Sequence, residues 1–527
     1  MKKAILCSLL AAMSIAGQAR ATCVTSNNDP GCLHFEWKTN TYTNQYTNSP
    51  TASQQEWFQQ KFFRIVGYSP YWDTRLSWFP SSWFYQDSSS IYTYSPIVQQ
   101  HPEYILKDAN GAMLYINFGC SNGTCPQYAP DYSSEAFRQW WISEAATTFE
   151  AGYKGIFIDD VNLTMNLTNG NSSDTPIDTN TGLPMTQQAW EQYFAGFLTE
   201  VRKAFPNAEI CHNALWYSGS GNPISDPYVA QEVQAANWIN LERGYDDTGL
   251  SGDDTFWSVQ NFMAYIDAVH TKGTNVVLEQ YGSDGTEYAL AGYLLTSSGS
   301  DMFADDSMTP NNWWSGYDID LGSPLDTRYT WNGLIRRDFK NGMVLMNPPG
   351  MATVTATLAN TMTNLLGNTV SSVTIPAWTG VVLLGTPVIE VNGPLANGLY
   401  NVRNVYSGWV LDDRAYSTTS GTQVIQWESN GGNNQKWQFT SNGNGYYTIV
   451  NYYSGLYLTS QNGQLLEVSK NGSDSQLWSL SGTAPTYVIL NKGTNQVIDD
   501  PAFSLVQGVG IITWSANGGN NQKWTIQ

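Results

Sequence analysis

The sequence has 527 residues, too many for one ordinary hydrophobic core, so we expect two or three domains. Its formal net charge of −20 argues against nucleic acid and anionic membranes as partners. Charged residues make up only 13% of the chain and aromatic residues another 13%, with 21 Trp and 31 Tyr. Aromatic rings stack on sugar faces, so this composition favours an extracellular carbohydrate-active protein, although aromatic packing in a large secreted β protein would also explain it.

The N-terminal residues have the pattern of a secretory signal peptide. Lys2 and Lys3 precede an apolar run over residues 4–15, and the small-x-small triplet Ala19-Arg20-Ala21 follows as a cleavage site. We therefore predict a signal peptide over residues 1–21 and a secreted protein, extracellular or periplasmic. Cleavage would remove three basic residues and bring the net charge to about −23. No later stretch of the sequence has the length of a membrane helix.

The cysteines predict local disulfides and no metal site. Cys23 with Cys32 and Cys120 with Cys125 are close pairs, which suit an oxidising compartment. Cys211 is left over and is expected to be a small buried hydrophobic residue. With four His in total and no paired metal-ligand spacing, we expect neither a metal nor a cofactor.

Eight short strand-like runs, most of them followed by a helical pattern, occupy the first part of the chain. This count, over roughly 250 residues, is typical of a (β/α)₈ barrel, which we place at residues 22–340. Helical spacing is clearest over 135–149, 185–205, 255–271 and 287–297, with Thr186 and Thr255 as candidate N-caps. The strand-like runs are 63–68, 90–94, 113–118, 155–159, 210–213, 238–242, 276–279 and 300–304.

The pattern changes after the barrel. Alternating Thr and Val runs predict a small antiparallel β-sandwich over residues 341–385, and a Pro/Gly/Asn-rich linker follows over 386–396.

The last 130 or so residues contain a threefold repeat. A Gln-x-Trp triplet ends each unit, at residues 435–437, 476–478 and 522–524. The repeat resembles the ricin-type β-trefoil lectins over residues 397–527, and the resemblance implies that these three Trp are structural. It also implies sugar-binding residues in the first and third units but not in the second, where Thr459 replaces the Asp and no Trp matches. The implied sugar-binding residues are Asp412, Trp427, Asn434, Gln435, Asp499, Trp514, Asn521 and Gln522.

Carboxylates follow several of the predicted strands. Active sites of (β/α)₈ barrels lie where the strands end, and glycoside hydrolysis needs two carboxyl groups astride the scissile bond. The fourth strand ends in Asp159 and Asp160, the sixth in Glu242, the seventh in Glu279 and the eighth in Asp305 and Asp306. We therefore expect these groups to surround one opening.

The fourth-strand pattern Gly-x-x-Gly-Ile-Phe-Ile-Asp-Asp resembles glycosyl-hydrolase-like barrels related to α-amylases, α-galactosidases and polygalactosaminidases. The resemblance implies that Asp159 is the nucleophile and that a residue after strand six, here Glu242, is the general acid/base. Glu279 is a nearly equal candidate, and Asp160 ranks second to Asp159 because strand alternation would point it to the opposite side. Most of these relatives retain the anomeric configuration.

Other polar residues at strand ends are predicted to bind substrate hydroxyls, although His212 is as well explained as a satisfied core histidine. The function predicted is a secreted, monomeric hydrolase of poly- or oligosaccharides, tethered to its substrate by the trefoil. A transglycosylase on the same scaffold and a non-catalytic carbohydrate-binding protein are the alternatives. The candidate substrate-binding residues are Tyr68, Asn117, His212, Asn213, Gln280, Tyr281 and Asp305.

Overall fold

The structure is a computed structural model that describes most of the chain. No helix within the described ranges is both long and apolar enough to cross a membrane. The predicted signal peptide, Cys23, Tyr68 and Asp306 lie outside those ranges, as does most of the predicted linker. The described residues are 29–37, 46, 49–67, 75–217, 225–253, 255–281, 286–305, 308–387, 395, 397–441 and 445–527.

Eight parallel strands close into a barrel, as predicted. Around it the order is β1-β10-β9-β8-β7-β5-β3-β2, while the short β4 and β6 pair with each other in the loops. The strands are β1 (Phe35–Trp37), β2 (Arg64–Gly67), β3 (Ser82–Asp87), β4 (Tyr115–Ile116), β5 (Gly155–Val161), β6 (Leu167–Thr168), β7 (Glu209–Ala214), β8 (Trp238–Leu241), β9 (Asn275–Gln280) and β10 (Met302–Asp305). The helices are α1 (Ala52–Lys61), α2 (Ile97–Gln100), α3 (Glu135–Phe149), α4 (Gln187–Ala204), α5 (Pro227–Ala235), α6 (Val259–Thr271) and α7 (Thr286–Thr296).

Two of the eight predicted barrel strands are wrong. Residues 90–94 form no barrel strand, and 113–118 contain only the short β4 of the loop hairpin. The real members are β1 and β3. Strand β1 was missed because it has only three residues, and β3 was missed because its aromatic sequence is as compatible with a loop as with a strand. Because two false strands replaced two real ones, β5 is still the fourth strand of the barrel.

The helix ends follow local capping chemistry. Thr186 caps α4 as predicted, since its side chain accepts a hydrogen bond from the Ala189 amide. The Thr255 cap is wrong: α6 begins at Val259, and its cap is Ser258, which accepts from the Asn261 amide.

Alternation along the strands separates two layers of the core. Inside the barrel, one apolar cluster is built from every second residue of the strands. The larger cluster lies between the barrel and its helices. The inner cluster contains Val66, Trp83, Phe157, Cys211, Trp238, Val277, Met302 and Ala304.

A six-stranded antiparallel sheet follows the barrel, with the order β11-β12-β13-β16-β14-β15. Its first two strands precede residue 341, so the sheet begins earlier than the sequence suggested. Residues from β13 and β16 join the core of the barrel, and the Val382 amide donates to Glu287 of α7. Its strands are β11 (Tyr329–Trp331), β12 (Leu334–Phe339), β13 (Gly342–Asn347), β14 (Val354–Asn364), β15 (Thr369–Ile375) and β16 (Thr379–Leu384).

The C-terminal region consists of three similar lobes, which end at Trp437, Trp478 and Trp524. These three Trp are fully buried, and each indole N–H donates to a backbone carbonyl, of Leu411, Leu458 and Ile498 respectively. The Gln-x-Trp repeats therefore build the core of the region. Its strands are β17 (Gly398–Tyr400), β18 (Val402–Asn404), β19 (Val410–Asp412), β20 (Thr422–Gln423), β21 (Ile425–Trp427), β22 (Trp437–Ser441), β23 (Tyr447–Asn451), β24 (Tyr457–Gln461), β25 (Gln464–Val468), β26 (Trp478–Thr483), β27 (Thr486–Asn491), β28 (Val497–Asp499), β29 (Ile512–Trp514) and β30 (Trp524–Ile526).

Candidate active site and sugar-binding lobes

A cleft of about 550 Å³ opens where β3, β5, β7 and β8 end, at the face on which (β/α)₈ enzymes place their catalytic groups. Its wall combines carboxylates with aromatic rings. It is lined by Tyr85, Asp87, Tyr92, Phe118, Pro126, Gln127, Asp159, Asp160, Val161, Asn162, Asn213, Ala214, Leu215, Trp216, Tyr217, Leu241, Glu242, Arg243 and Asp247.

Asp159 lies at the centre of this cleft and accepts three hydrogen bonds. The Tyr85 hydroxyl donates to Oδ2 at 2.6 Å, and Oδ1 accepts from Asn213 Nδ2 at 2.6 Å and from the Asp160 amide at 2.9 Å. Burial, and then the charge of Asp159, raises the pKa of Tyr85, so its phenol stays protonated and remains a donor. The Asp159 carboxylate is thus held in one orientation.

Asn213 connects Asp159 to Glu242. Its Nδ2 lies 2.6 Å from Asp159 Oδ1 and 2.8 Å from Glu242 Oε1, so these two oxygens are no more than about 5.4 Å apart. Pairs of carboxyl groups about 5–5.5 Å apart are typical of retaining glycosidases, whereas inverting pairs are about 6.5–9.5 Å apart.

Asp160 faces the same cleft, contrary to the prediction from strand alternation. The pairing of β5 with β7 shifts register between Ile158 and Val161, and Asp160 has a left-handed φ of 55°. This backbone conformation is uncommon for a residue other than glycine and often marks a functional site. Two consecutive carboxylates therefore reach one opening.

A third carboxylate, Asp87 at the end of β3, lies beneath Asp160. It is buried and accepts hydrogen bonds from the Ser89 hydroxyl at 2.7 Å and from Gln127 Nε2 at 2.6 Å. Burial and the nearby charge of Asp159 raise its pKa. The pKa of Asp160 rises to about 8 through loss of hydration in the cleft and then the charges of Asp87, Asp159 and Glu242. A proton therefore stays on Asp160 at neutral pH.

The structure places Glu279 below the cleft rather than on its wall. Its side chain is buried and accepts a hydrogen bond from Asn240 Nδ2 at 2.8 Å, and the same nitrogen lies 3.1 Å from Asn213 Oδ1. Glu279 is thus suited to hold Asn240 and Asn213 in position. It is not among the residues that line the cleft.

His212 does not face the cleft. It is fully buried, and its Nδ1 lies 2.7 Å from Oε1 of Glu232 on α5, outside the barrel. The reason is alternation along β7, because Cys211 and Asn213 point into the barrel and His212 points away from it. The core-histidine interpretation is the one that fits.

The other predicted substrate residues are distributed differently. Asp305 is buried and accepts from Gln280 Nε2 at 3.2 Å and from the Tyr317 hydroxyl at 3.0 Å, away from the cleft lining. Tyr281 is partly exposed just after β9, and Asn117 is exposed beside the cleft residue Phe118. Among the described residues that were predicted to bind substrate, only Asn213 lines the cleft.

Several cleft residues were missed by sequence analysis. Asp87 follows a strand that was not recognised, although the order strand, carboxylate and three serines was a usable signal. An aromatic wall was also missed, in which Trp216 stacks on Phe256 with ring centroids 5.4 Å apart, and Tyr217 lies 4.6 Å from Trp257. Such rings suit the apolar faces of sugars.

A disulfide joins Cys120 and Cys125, as predicted. It closes the loop between Phe118 and Gln127, two residues that line the cleft. Cys32 also takes part in a disulfide, and its expected partner Cys23 lies outside the described residues. Cys211 is a buried free cysteine. Within the described ranges no cluster of three or more His, Cys, Asp or Glu is arranged to hold a metal ion.

The first and third lobes carry matching polar pockets. Asp412 Oδ2 accepts from Asn434 Nδ2 at 3.0 Å and Gln435 Nε2 at 2.7 Å. In the third lobe, Asp499 Oδ2 accepts from Asn521 and Gln522 at 3.1 and 2.6 Å. The corresponding rings, Trp427 and Trp514, are 39% and 58% exposed, so both can stack against a ligand.

The second lobe lacks this arrangement. Thr459 occupies the Asp position and its hydroxyl accepts from Gln476 Nε2 at 3.1 Å, while Val468 occupies the Trp position. The lobe therefore keeps the structural hydrogen bond and has neither the carboxylate nor the exposed ring.

Behind these pockets lies a buried position that differs between lobes. In the first lobe, Asp413 pairs with Glu467 of the second lobe, and both carboxyls are fully buried. The equivalent pairs are Ser460 with Thr513, 2.8 Å apart, and Asp500 with Gln426. Burial, and then the hydrogen bond and charge of Asp413, raises the pKa of Glu467 to about 9, so this pair holds a proton at neutral pH.

The fold and the cleft define a carbohydrate-active protein, a (β/α)₈ barrel that carries a lectin-like trefoil. The model of the family described as hypothetical glycosyl hydrolase family 15 matches residues 70–343, just over half of the chain, and the chain belongs to that family. The ricin-type β-trefoil lectin domain-like model matches residues 388–470 and 474–527. No curated protein matches the chain.

Solved structures similar to the chain include the designed threefold-symmetric protein ThreeFoil, with 32% identity, 25% of this chain and 98% of that chain covered, and a TM-score of 0.24. The Rhizoctonia solani agglutinin is 27% identical over 25% of this chain and 95% of its own, with a TM-score of 0.23. An exo-β-1,3-galactanase from Clostridium thermocellum is 22% identical over 38% of this chain and 56% of its own, with a TM-score of 0.24.

The Glu467 pair predicts that the trefoil loses stability as the pH rises. The folded state keeps a proton that the unfolded chain releases above about pH 4.5, so the free energy of unfolding falls from there up to about pH 9. Glu467→Gln reproduces the Asp–Gln pair of the third lobe. It is expected to raise the thermal midpoint of the trefoil at pH 8 by several degrees and to have a smaller effect at pH 4.5, as measured by calorimetry on the full chain.

The matched control is Gln426→Glu, which creates a second buried carboxyl pair and should steepen the loss of stability between pH 5 and 8. Equal shifts of the midpoint at both pH values in the Glu467→Gln variant would contradict a proton-sharing pair.

Proposed function

We propose that the chain is a retaining glycoside hydrolase acting on a poly- or oligosaccharide, with Asp159 as nucleophile and Glu242 as general acid/base. The observation that carries the proposal is the single amide nitrogen of Asn213, which binds both carboxylates and keeps their nearest oxygens within about 5.4 Å. A separation in this range is typical of retaining pairs, whereas inverting pairs are wider so that a water molecule fits beside the sugar.

In the first step, an Asp159 oxygen attacks the anomeric carbon while protonated Glu242 gives its proton to the glycosidic oxygen. The bond from carbon to the leaving oxygen breaks, an alcohol departs, and a glycosyl ester forms on Asp159. The hydrogen bonds from Tyr85 and Asn213 orient the attacking carboxylate.

In the second step, Glu242, now a carboxylate, takes a proton from water. The resulting hydroxide attacks the same carbon, the ester bond to Asp159 breaks, and the sugar leaves as a hemiacetal with its original anomeric configuration. Glu242 ends protonated and Asp159 ionised, so the enzyme is regenerated.

Asp160 has a separate role in this proposal. Its pKa of about 8 keeps it protonated at neutral pH, and its carboxyl is hydrogen-bonded to Asp87 beside the nucleophile. A negative charge at this position would repel the Asp159 carboxylate that has to attack. We assign it to substrate positioning.

The aromatic wall and the trefoil support a polymeric substrate. Tyr217 lines the cleft, and Phe256 and Trp257 beside it are 39% and 41% exposed, so these rings can stack on sugars. Two trefoil lobes carry sugar pockets. Binding at the lobes would raise the local concentration of substrate at the cleft. With the predicted signal peptide over residues 1–21, the proposed location is outside the cytoplasm, and the proposed state is a monomer. The proposed domains are those expected from sequence, except that the antiparallel sheet begins at Tyr329.

The proposed roles predict different losses in two variants. Asp159→Asn should lower the release of reducing ends from a responsive polysaccharide by about a thousandfold, because no glycosyl ester can form. Glu242→Gln should lower the same rate by about 10²–10⁴-fold, yet cleave a dinitrophenyl glycoside of the released sugar nearly as fast as the wild type in its first step, because that leaving group needs no proton. Burst kinetics measure this step.

The control for the amide substitution is Glu144→Gln on the exposed face of α3, which should leave both rates unchanged. If Glu242→Gln lowered the rates of hydrolysis of the polysaccharide and of the dinitrophenyl glycoside equally, Glu242 would not be the general acid. If Asp159→Asn kept more than a tenth of the wild-type rate, the nucleophile assignment would fail.

Asp160 predicts the alkaline limit of activity. As the pH rises through about 8, its carboxyl ionises and repels Asp159, so kcat/KM should fall. Asp160→Asn keeps a neutral donor and should move the alkaline limb of the kcat/KM profile upward by about one pH unit or more. If the limb stayed near pH 8 in the variant, a group other than Asp160 would be responsible for it.

A further inference from the structure

Each of the two polar trefoil pockets has an exposed pair of aromatic rings beside it. Tyr416 of the first lobe contacts Tyr453 of the second, with centroids 5.0 Å apart and planes at 86°. Phe503 of the third lobe contacts Tyr406 of the first in the same way, at 5.1 Å and 84°. All four rings are 43–46% exposed. Exposed aromatic side chains that contact each other form an apolar surface patch, a feature that often marks a binding site.

In each pair, one ring comes from the same lobe as the pocket. This ring, Tyr416 or Phe503, lies next to the side-chain amide of Asn434 or Asn521 in that pocket. A Cβ placed on Gly432 would lie 2.4 Å from the Tyr416 hydroxyl and 2.5 Å from Asn434 Oδ1, so these two atoms are less than about 5 Å apart. A Cβ on Gly519 would similarly lie 2.9 Å from the Phe503 ring and 2.5 Å from Asn521 Oδ1. The rings therefore adjoin the amides that bind Asp412 and Asp499.

The loops that present Tyr416 and Phe503 have the same costly backbone. Ala415 and Tyr416 have φ of 60° and 55°, and Ala502 and Phe503 have 54° and 55°. Two consecutive non-glycine residues in the left-handed region are strained. The first and third lobes therefore share the same strained loop conformation.

The aromatic pair is absent where the sugar pocket is absent. The second lobe has a tight hairpin, β24 to β25, in place of the loop. A pair at the second lobe would need its partner ring from the turn of the third lobe. There Gly493 occupies the position that Tyr453 has in the second lobe and Tyr406 has in the first. The turn itself is unchanged, since the amides of Gly493, Tyr453 and Tyr406 all donate to the preceding Asn side chain. The rings thus vary with the pocket and not with the fold.

We propose that each aromatic pair is a second sugar subsite, so that the first and third lobes bind carbohydrate chains of two or more residues rather than a single terminal sugar. The proposal rests on the sugar-binding role proposed for Asp412 and Asp499. One sugar occupies the polar pocket, and its neighbour in the chain stacks on the exposed face of Tyr453 or Tyr406. Because the rings are neutral, the subsite takes an uncharged sugar.

The test is calorimetric titration of the full chain, in the Asp159→Asn background so that no ligand is cleaved. The probes are galactose, xylose and arabinose, each compared with β-1,4-galactotetraose, xylotetraose and α-1,5-arabinotetraose. For the sugar that binds, the tetrasaccharide should bind about fivefold to tenfold more tightly than the monosaccharide. The double variant Tyr453→Ala, Tyr406→Ala should remove this advantage and leave monosaccharide affinity within twofold.

The matched control is Tyr452→Ala. Tyr452 is 44% exposed and adjacent to Tyr453, but its equivalent in the first lobe is Val405, so its ring is not part of the repeated pair. This variant should bind like the parent chain. Asp412→Asn with Asp499→Asn should lose both ligands at the lobes, and any binding that remains in that variant belongs to the cleft.

After binding at the cleft, measured in the Asp412→Asn, Asp499→Asn variant, is subtracted, two results would overturn the subsite. One is equal affinity of the parent for monosaccharide and tetrasaccharide, and the other is a tetrasaccharide advantage that survives the double variant. Absence of binding to every probe would overturn sugar recognition by the lobes together with it. Reducing-end release by the chain with wild-type Asp159 reports the proposed hydrolase separately.

Discussion

One amide nitrogen determines the geometry of the cleft. Asn213 donates to Asp159 and to Glu242, which come from the ends of different strands. Asn213 is held in turn by Asn240, and Asn240 by buried Glu279. These hydrogen bonds connect four neighbouring strand ends, those of β5, β7, β8 and β9. The spacing of the two carboxyl groups therefore depends on the closure of the barrel.

The cleft also gives two adjacent carboxyl groups different surroundings. Asp159 has three donors aimed at it, whereas Asp160 lies over buried Asp87 and has a raised pKa. The left-handed backbone at Asp160 makes this possible, because a regular strand would have turned the second carboxyl away.

Much of the fold could be predicted from sequence because its signals are local and periodic. Apolar runs that end in carboxylates located β5 and β8, and the Gln-x-Trp repeat located the lobes. Strand β3 was missed because its aromatic residues fit a loop as well as a core strand. Asp160 was misplaced because a register shift leaves no trace in composition. Glu279 and His212 show that a strand end is not sufficient, since depth in the barrel and alternation decide whether a side chain reaches the cleft.

The trefoil shows how one fold carries unequal sites. The buried Trp of each Gln-x-Trp triplet and the Asn-bound turn are common to all three lobes, so they maintain the structure. The carboxylate, the exposed ring and the aromatic pair are present in two lobes only. Sequence comparison within the chain therefore distinguishes residues that fold a lobe from residues that act on a ligand.

The close approach of Asp159 and Glu242 is tested most directly by the stereochemistry of hydrolysis. Proton NMR of the first product formed from a substrate of known configuration distinguishes the two anomers before mutarotation mixes them. The account predicts that the newly formed hemiacetal has the configuration of the substrate. A product of inverted configuration would contradict it.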